Sequence, residues 1–511
     1  MDYLPLLLLM SFVWVSIHVL ISNLVAKKSP KSLKLPPGPK PFPIIGNILE
    51  FGNQPHQALA KLSKTYGPIM TMKLGNITTI VISSPQLAKE VLHKYDQIFS
   101  YRTIPDSVTA LDHHKFSIVW LPPTSTQWRS LRKFCATKVF STQNLDSTQD
   151  LRQEKVRELL DFVKENGKKG EVLDISEVCF TTVLNSVSNT FFSMNLAHYT
   201  SQKSQEFKDI VWGVMEEAGR PNVVDFFPIF RFLDPQGART RMRVYFGKLL
   251  SFLDGVLEER LQSRKELGMG SKDCKDVLDS AADILLEGDS QITRSHLLNL
   301  FLDLFVAGID TTSSTIEWAM AELLRNPKNI VKVREELGQV LGKGEQQKLE
   351  ESHISQLPFL RAIVKETLRL HPPAPFLVPH RSENDVEVCG YLVPKNAQIL
   401  INVWAMGRDS SVWKNPNEFM PERFLKSEID FKGQDFELIP FGAGRRICPG
   451  LSLGFRSIHF VLASLLFEYD WKLPNEVNPE EMDMSEKYGI TLHKAQPLQV
   501  IPISMHNNNM K

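Results

Sequence analysis

The chain has 511 residues, 42% hydrophobic and 23% charged, and its 59 Lys and Arg against 58 Asp and Glu leave a formal net charge of +1. This is globular composition with length for a large core, and it lacks the basic excess of a nucleic-acid binder. Five scattered cysteines, Cys135, Cys179, Cys274, Cys389 and Cys448, form no CxxC pair, which argues against a disulfide framework or a zinc site.

Residues 4–26 contain no Asp, Glu, Lys or Arg. As a helix this run would span about 34 Å, enough for a hydrocarbon core of about 30 Å. Lys27, Lys28, Lys31 and Lys34 follow and only Asp2 precedes, so the positive-inside rule keeps the lysine side cytoplasmic. A cleaved signal peptide would carry its basic residues before a shorter apolar run. Residues 1–26 are therefore expected to be a membrane anchor. Pro36, Pro37, Pro39, Pro41 and Pro43 make residues 27–46 a basic, Pro-rich, semi-extended hinge. Residues 47–511 show no internal repeat or low-complexity break and are expected to form one large domain.

Within that domain, alternating Thr, Ile and Val around Gly75-Asn76 predict a hairpin over 69–83. Helical spacing predicts helices over 153–164, 207–218, 248–264, 295–325 and 329–341. Residues 265–275 are polar and predict a mobile loop, and 386–403 is strand-like, broken at Gly390 and Pro394. The class is mainly α with a small β part.

Four motifs carry chemistry. Trp128 and Arg132 are four apart in a helical stretch and share a face, as they also would on a basic surface helix. Ala307-Gly308-Ile309-Asp310-Thr311-Thr312 places Gly and a Ser/Thr run in the middle of a long apolar helix. Mid-helix hydroxyls bond back to the i−4 carbonyl, and a local rule broken there marks either close helix packing or function. Glu366 and Arg369 lie one turn apart and could pair, with Arg423 following in Pro421-Glu422-Arg423-Phe424. Last, Cys448 stands among Gly442, Gly444 and Gly450, before Pro449 and an apolar helical run. Amides and a helix N-terminus at such a junction favour a thiolate, and Arg445 and Arg446 suit carboxylates.

Phe441, Gly444, Arg446, Cys448 and Gly450 fill the pattern FxxGxRxCxG, and on these residues the chain resembles the cytochrome P-450 superfamily. The resemblance runs from the anchor and hinge to the C-terminal strands. Leu35-Pro36-Pro37-Gly38-Pro39, Ala218-Gly219-Arg220-Pro221-Asn222, Asp234-Pro235-Gln236-Gly237 and Tyr488-Gly489-Ile490-Thr491-Leu492 look like plant A-type members, most like the family containing geraniol 8-hydroxylase. It implies the superfamily's triangular-prism fold, with a small β region near the N-terminus. It implies haem b with Cys448 as axial thiolate and with Trp128, Arg132, Phe441 and Arg446 around the cofactor. A further propionate contact falls on His380 or Arg381. Glu366, Arg369 and Arg423 would form a structural network, and Asp310 and Thr311 would relay protons for dioxygen cleavage.

No GxGxxG follows a strand, so electrons would come from NADPH through a separate cytochrome P-450 reductase, with Arg129, Lys133 and Arg445 as docking candidates. The implied location is the endoplasmic reticulum membrane with the catalytic domain in the cytoplasm. Phe116, Ile118, Val306, Ala307, Phe376, Leu377 and Ile490 would line an apolar substrate pocket. The resemblance implies an O2-dependent hydroxylase of a monoterpenol such as geraniol, or of a sesquiterpene, at an allylic methyl. Hydroxylases of tyrosine or phenolics, diterpenes or xenobiotics are alternatives, and a membrane-anchored haem sensor is the non-enzymatic one.

Overall fold

The computed structural model describes residues 33–199, 201–267, 276–288, 291–342 and 348–505. The expected anchor and most of the expected loop over 265–275 lie outside them.

A central helix, Arg294–Arg325, organises the main core. It begins in a capping box, in which the Thr293 hydroxyl accepts from the His296 amide and the His296 ring accepts from the Thr293 amide. Nearly all of its residues are buried, because helices Ile175–Phe192, Gln202–Gly219, Ala238–Leu267, Pro358–Leu370 and Leu451–Glu468 surround it. Among the described residues one helix, Leu451–Glu468, is long and apolar enough to cross a membrane. Its residues from Ser457 to Leu466 are buried in this core.

Ile175–Phe192 has only Glu177 unburied. A helix buried all round carries no amphipathic period, and this one was not among the helices expected from spacing.

The hairpin Ile69–Leu74 and Ile77–Ile82 forms one side of a five-stranded sheet continued by Gln398–Ile401, His380–Arg381 and Tyr101–Arg102. Ile77–Ile82 pairs in parallel with Gln398–Ile401, and the last two strands run antiparallel, with Arg102 opposite His380. Ile69, Ile80, Ile82, Ile399 and Ile401 form a smaller core beneath this sheet that reaches Leu377 and Ala443, and so supports the cysteine loop.

The Pro-rich segment lies against the hairpin from Pro37 onward. The Thr71 amide donates to the Pro37 carbonyl at 2.8 Å, and a β-carbon at Gly38 would stand 1.9 Å from the Thr71 carbonyl oxygen. Glycine is needed there so that two backbones can touch.

Candidate active site

The cysteine loop turns on Gly442 (φ 72°) and Gly444 (φ 64°). Both lie in the left-handed region that disfavours a β-carbon, and at Gly444 one would also stand 2.2 Å from the Leu92 carbonyl oxygen. The Cys448 amide donates to the Phe441 carbonyl at 2.9 Å, and Gly450 caps helix Leu451–Glu468. Cys448 and Phe441 line a cavity of about 280 Å³. Burial pushes the Cys448 thiol up, against the opposing pull of the Gly450 amide, Arg132 and the Leu451 amide. The loop amides and Arg132 thus favour the thiolate against burial, and a cation bound in the cavity would favour it further.

One end of the cavity is cationic. Arg102, Arg132, His380 and Arg446 line it together with Trp128. Arg446 donates to the carbonyls of Ser100 at 2.8 Å, Ile118 at 3.0 Å and Leu121, while Arg132 donates to Ile447 at 2.9 Å. The Trp128 indole donates to the Ile118 carbonyl at 3.1 Å, with the guanidinium carbons of Arg446 and Arg132 4.8 and 5.8 Å from its ring centre. His380 Nδ1 donates to the Phe99 carbonyl at 2.7 Å, which leaves Nε2 free of that bond.

Arg102 bonds the Val378 carbonyl, but its buried Nε has no partner. Among the described residues no carboxylate pairs with Arg102, Arg132 or Arg446. Burial and then Arg132 lower Arg446 to about 9, and burial and then Arg446 lower Arg102 well below its usual range. Buried cations crowded without an anion are costly, so this end suits a ligand carrying carboxylates. Of the two residues left open by the sequence, His380 lines the cavity. Arg381 turns outward, 3.5 Å from Glu383 and over the Tyr101 ring.

The facing wall is the central helix. Its i, i+4 rows Asp303-Ala307-Thr311-Thr315 and Leu304-Gly308-Thr312 line the cavity. Thr311 Oγ1 donates to the Ala307 carbonyl at 2.7 Å, and the nearest atom to a β-carbon built on Gly308 is Val187 Cγ2 at 3.9 Å. Gly308 thus leaves open space over the cavity and does not serve a tight helix contact.

Asp310 sits on the row behind and does not line the cavity. It is fully buried, neither carboxylate oxygen has a hydrogen-bond partner, and it forms an ion pair with His493 Nε2 at 3.3 Å. Burial would lower His493, but the Asp310 charge, and then Glu317, outweigh it and raise the imidazole above its ordinary value. The His493 side chain is half-buried, while the Asp310 carboxylate is fully buried.

A sequence profile described as Cytochrome P450 matches residues 36–501, which contain every residue lining this cavity. The chain belongs to the cytochrome P450 family. It is 50% identical over 504 residues to cytochrome P450 76T24 of Catharanthus roseus, covering 99% of both chains. It is 50% identical over 505 residues to geraniol 8-hydroxylase of the same plant, 99% of this chain and 100% of that one. With geraniol 8-hydroxylase of Swertia mussotii the identity is 51% over 473 residues, 93% and 94% of the two chains. As a cytochrome P450 monooxygenase it uses haem b with a cysteine thiolate as axial ligand. The P450 cavity fits that group, with one cysteine in its wall and unpaired arginines at one end.

The P450 structure brings Glu366, Arg369 and Arg423 together. Glu366 accepts from Arg369 Nε at 2.7 Å and Nη2 at 2.8 Å, from Arg423 Nε at 3.0 Å and from the Met420 amide at 2.7 Å. Arg369 also bonds the carbonyls of Gly407, Pro416 and Glu418, which fixes the segment leading to the cysteine loop.

The pocket expectation divides. Ile118, Ala307 and Leu377 line the main cavity, while Phe376, Leu377 and Ile490 line an adjoining one of about 120 Å³. Phe116 and Val306 line neither and are corrections. The Phe116 ring turns edge-on to His296, 5.2 Å away. Val306 belongs to the same rear row as Asp310 and is buried in the core, because each residue turns the helix by about 100°. Arg102, Asp303 and His493 were not anticipated as site residues. Arg102 becomes visible only as the register partner of His380.

Proposed function

We propose that this cytochrome P450 hydroxylates a small terpenoid alcohol, a monoterpenol such as geraniol, at an allylic methyl. A single observation carries the reading: one cavity holds Cys448 on one wall, the hydroxyl-bearing helix face on the other and mostly apolar side chains between. The names of the half-identical relatives support the substrate class.

Cys448 Sγ would bind the haem iron, and Arg102, Arg132, His380, Arg446 and Trp128 would hold the carboxylate end of the haem. When bound, haem supplies dioxygen activation assisted by the thiolate. Thr311 presents its hydroxyl to the cavity, where rotation away from the Ala307 carbonyl would turn its proton toward the reacting centre. Behind it, Asp310 pairs with His493, and this pair supplies protons to the helix side of the cavity. The apolar walls exclude bulk water, which keeps proton delivery on the helix side.

Electrons come from an NADPH-dependent cytochrome P450 reductase. Arg129 and Lys133 are exposed on one helix and suit docking to an acidic partner, whereas Arg445 is held by Asp96 at 2.7 Å. The site of action is the endoplasmic reticulum membrane. Exposed Ile229, Phe230, Phe232 and Leu233, together with Phe42, Ile44, Ile45 and Leu49, supply apolar surface suited to resting on lipid.

The test is turnover of geraniol and a terpenoid panel in membranes holding the full chain and a plant reductase. A hydroxylated terpenol formed only with NADPH supports the reading. Turnover of phenolics or diterpenes alone would refute it.

A further inference from the structure

One carboxylate lines the cavity, and proton handling does not use it. Asp303 sits near the start of the central helix, on the same i, i+4 row as Ala307 and Thr311. Leu304, Ile118 and Val119 line the same cavity with apolar surface. The Ser117 hydroxyl donates to its Oδ2 at 2.6 Å, and His113 Nε2 lies 3.0 Å from Oδ1.

The Asn299 side chain orients the His113 ring. Its amide nitrogen donates to the Ser295 carbonyl at 2.8 Å, so its oxygen faces His113 Nδ1 at 2.6 Å and must accept a proton from it. His113 Nδ1 thus donates to Asn299 while its Nε2 faces the Asp303 carboxyl group. The pair pins the loop residues 113–117 to the central helix.

Building on the terpenol reading above, we infer that Asp303 anchors the substrate hydroxyl and so measures out the carbon that is oxidised. A carboxylate offers about four acceptor positions, and Ser117 and His113 occupy two. The positions left can accept from a hydroxyl in the cavity. An ester or hydrocarbon leaves them unpaired.

Asp303 and Thr311 are two helical turns apart, about 12 Å along the axis. In geraniol, the hydroxyl oxygen and the far terminal methyl are eight bonds apart, about 10 Å when extended at the per-bond rise of an extended chain. Adding the hydrogen bond at the anchored end spans the distance. A hydroxyl held at Asp303 therefore sets the remote allylic methyl beside Thr311. Shorter or cyclic alcohols cannot bridge the two.

The test compares dissociation constants for geraniol and for the hydrocarbon that lacks only its hydroxyl. They are measured by calorimetry and by the substrate-induced Soret shift of haem-loaded full chain, with the reduced CO-bound spectrum as fold control. Wild type should bind the alcohol roughly ten-fold tighter, the worth of one hydrogen bond. Asp303→Leu should bring that ratio close to one and spread oxidation over other carbons. Ser117→Ala, which frees an acceptor position without removing the carboxylate, should tighten alcohol binding alone, and it decides the matter if Asp303→Leu fails to fold.

An undiminished ratio in Asp303→Leu overturns the anchor, as does a Ser117→Ala variant in which both ligands move together or neither moves. Equal binding of both ligands by wild type also overturns it while leaving the terpenoid reading intact. No binding of either ligand by wild type overturns the terpenol reading itself.

Discussion

Replacing Arg102 by Leu should move haem retention and haem-free stability in opposite directions. Its guanidinium is buried, its Nε lacks a partner, and Arg446 stands close enough to disfavour its charge. In the haem-free protein, Leu removes an unsatisfied buried nitrogen and one of the crowded cations, worth about 1–3 kcal/mol, which offsets the lost bond to the Val378 carbonyl. In the haem-bound protein the same change removes a charge-assisted bond to a propionate, a loss of about 2–3 kcal/mol, or roughly 30- to 150-fold in affinity. The assay pairs the rate of haem transfer to an excess of an apo-haem acceptor with denaturant unfolding of haem-stripped protein. Faster haem loss with equal or higher haem-free stability is expected. Haem retention unchanged, or both quantities falling together, would refute the propionate cradle.

Thr311→Ala should uncouple NADPH oxidation from product and raise peroxide release, since the cavity loses its proton donor; unchanged coupling would remove Thr311 from proton delivery. His493 is raised by Asp310, so the charged pair is fully present below the ordinary imidazole value and fades as pH rises through the raised one. Coupling in the wild type should thus decline as the solution becomes alkaline, and His493→Gln should flatten that profile; an identical profile in the variant would exclude the proton route through His493. Glu366→Ala leaves Arg369 and Arg423 without their shared carboxylate and should cost about 3–5 kcal/mol in denaturant unfolding of the haem-loaded protein. A loss under about 1 kcal/mol would mean that the carbonyls around Arg369 suffice without the carboxylate.

Features written in contiguous residues were legible before the structure. The hairpin over 69–83 appears as Ile69–Leu74 and Ile77–Ile82, and the helix expected over 295–325 as Arg294–Arg325, because strand alternation and helical spacing are local signals. Helix ends were less legible: 248–264 captured only the C-terminal part of Ala238–Leu267. The cysteine loop could be read whole, since its glycines, arginines and sulfur fall within one short segment.

The rest of the site depends on contacts between distant segments. Arg102 meets His380 through strand pairing, and His493 reaches Asp310 from a short C-terminal hairpin. The rotational phase of the central helix is also set by its neighbours. Choosing Val306 and Ala307 together as pocket residues ignored the turn between adjacent positions, and the structure keeps only Ala307 in the cavity.

The reduced, CO-bound absorption spectrum of the haem-loaded full chain tests the role of Cys448 most directly. A thiolate-type Soret band is predicted for the wild type, replaced in Cys448→His by a band of the imidazole-ligated type with haem still bound. A wild type lacking the thiolate-type band, or a Cys448→His variant that retains it, would contradict the assignment.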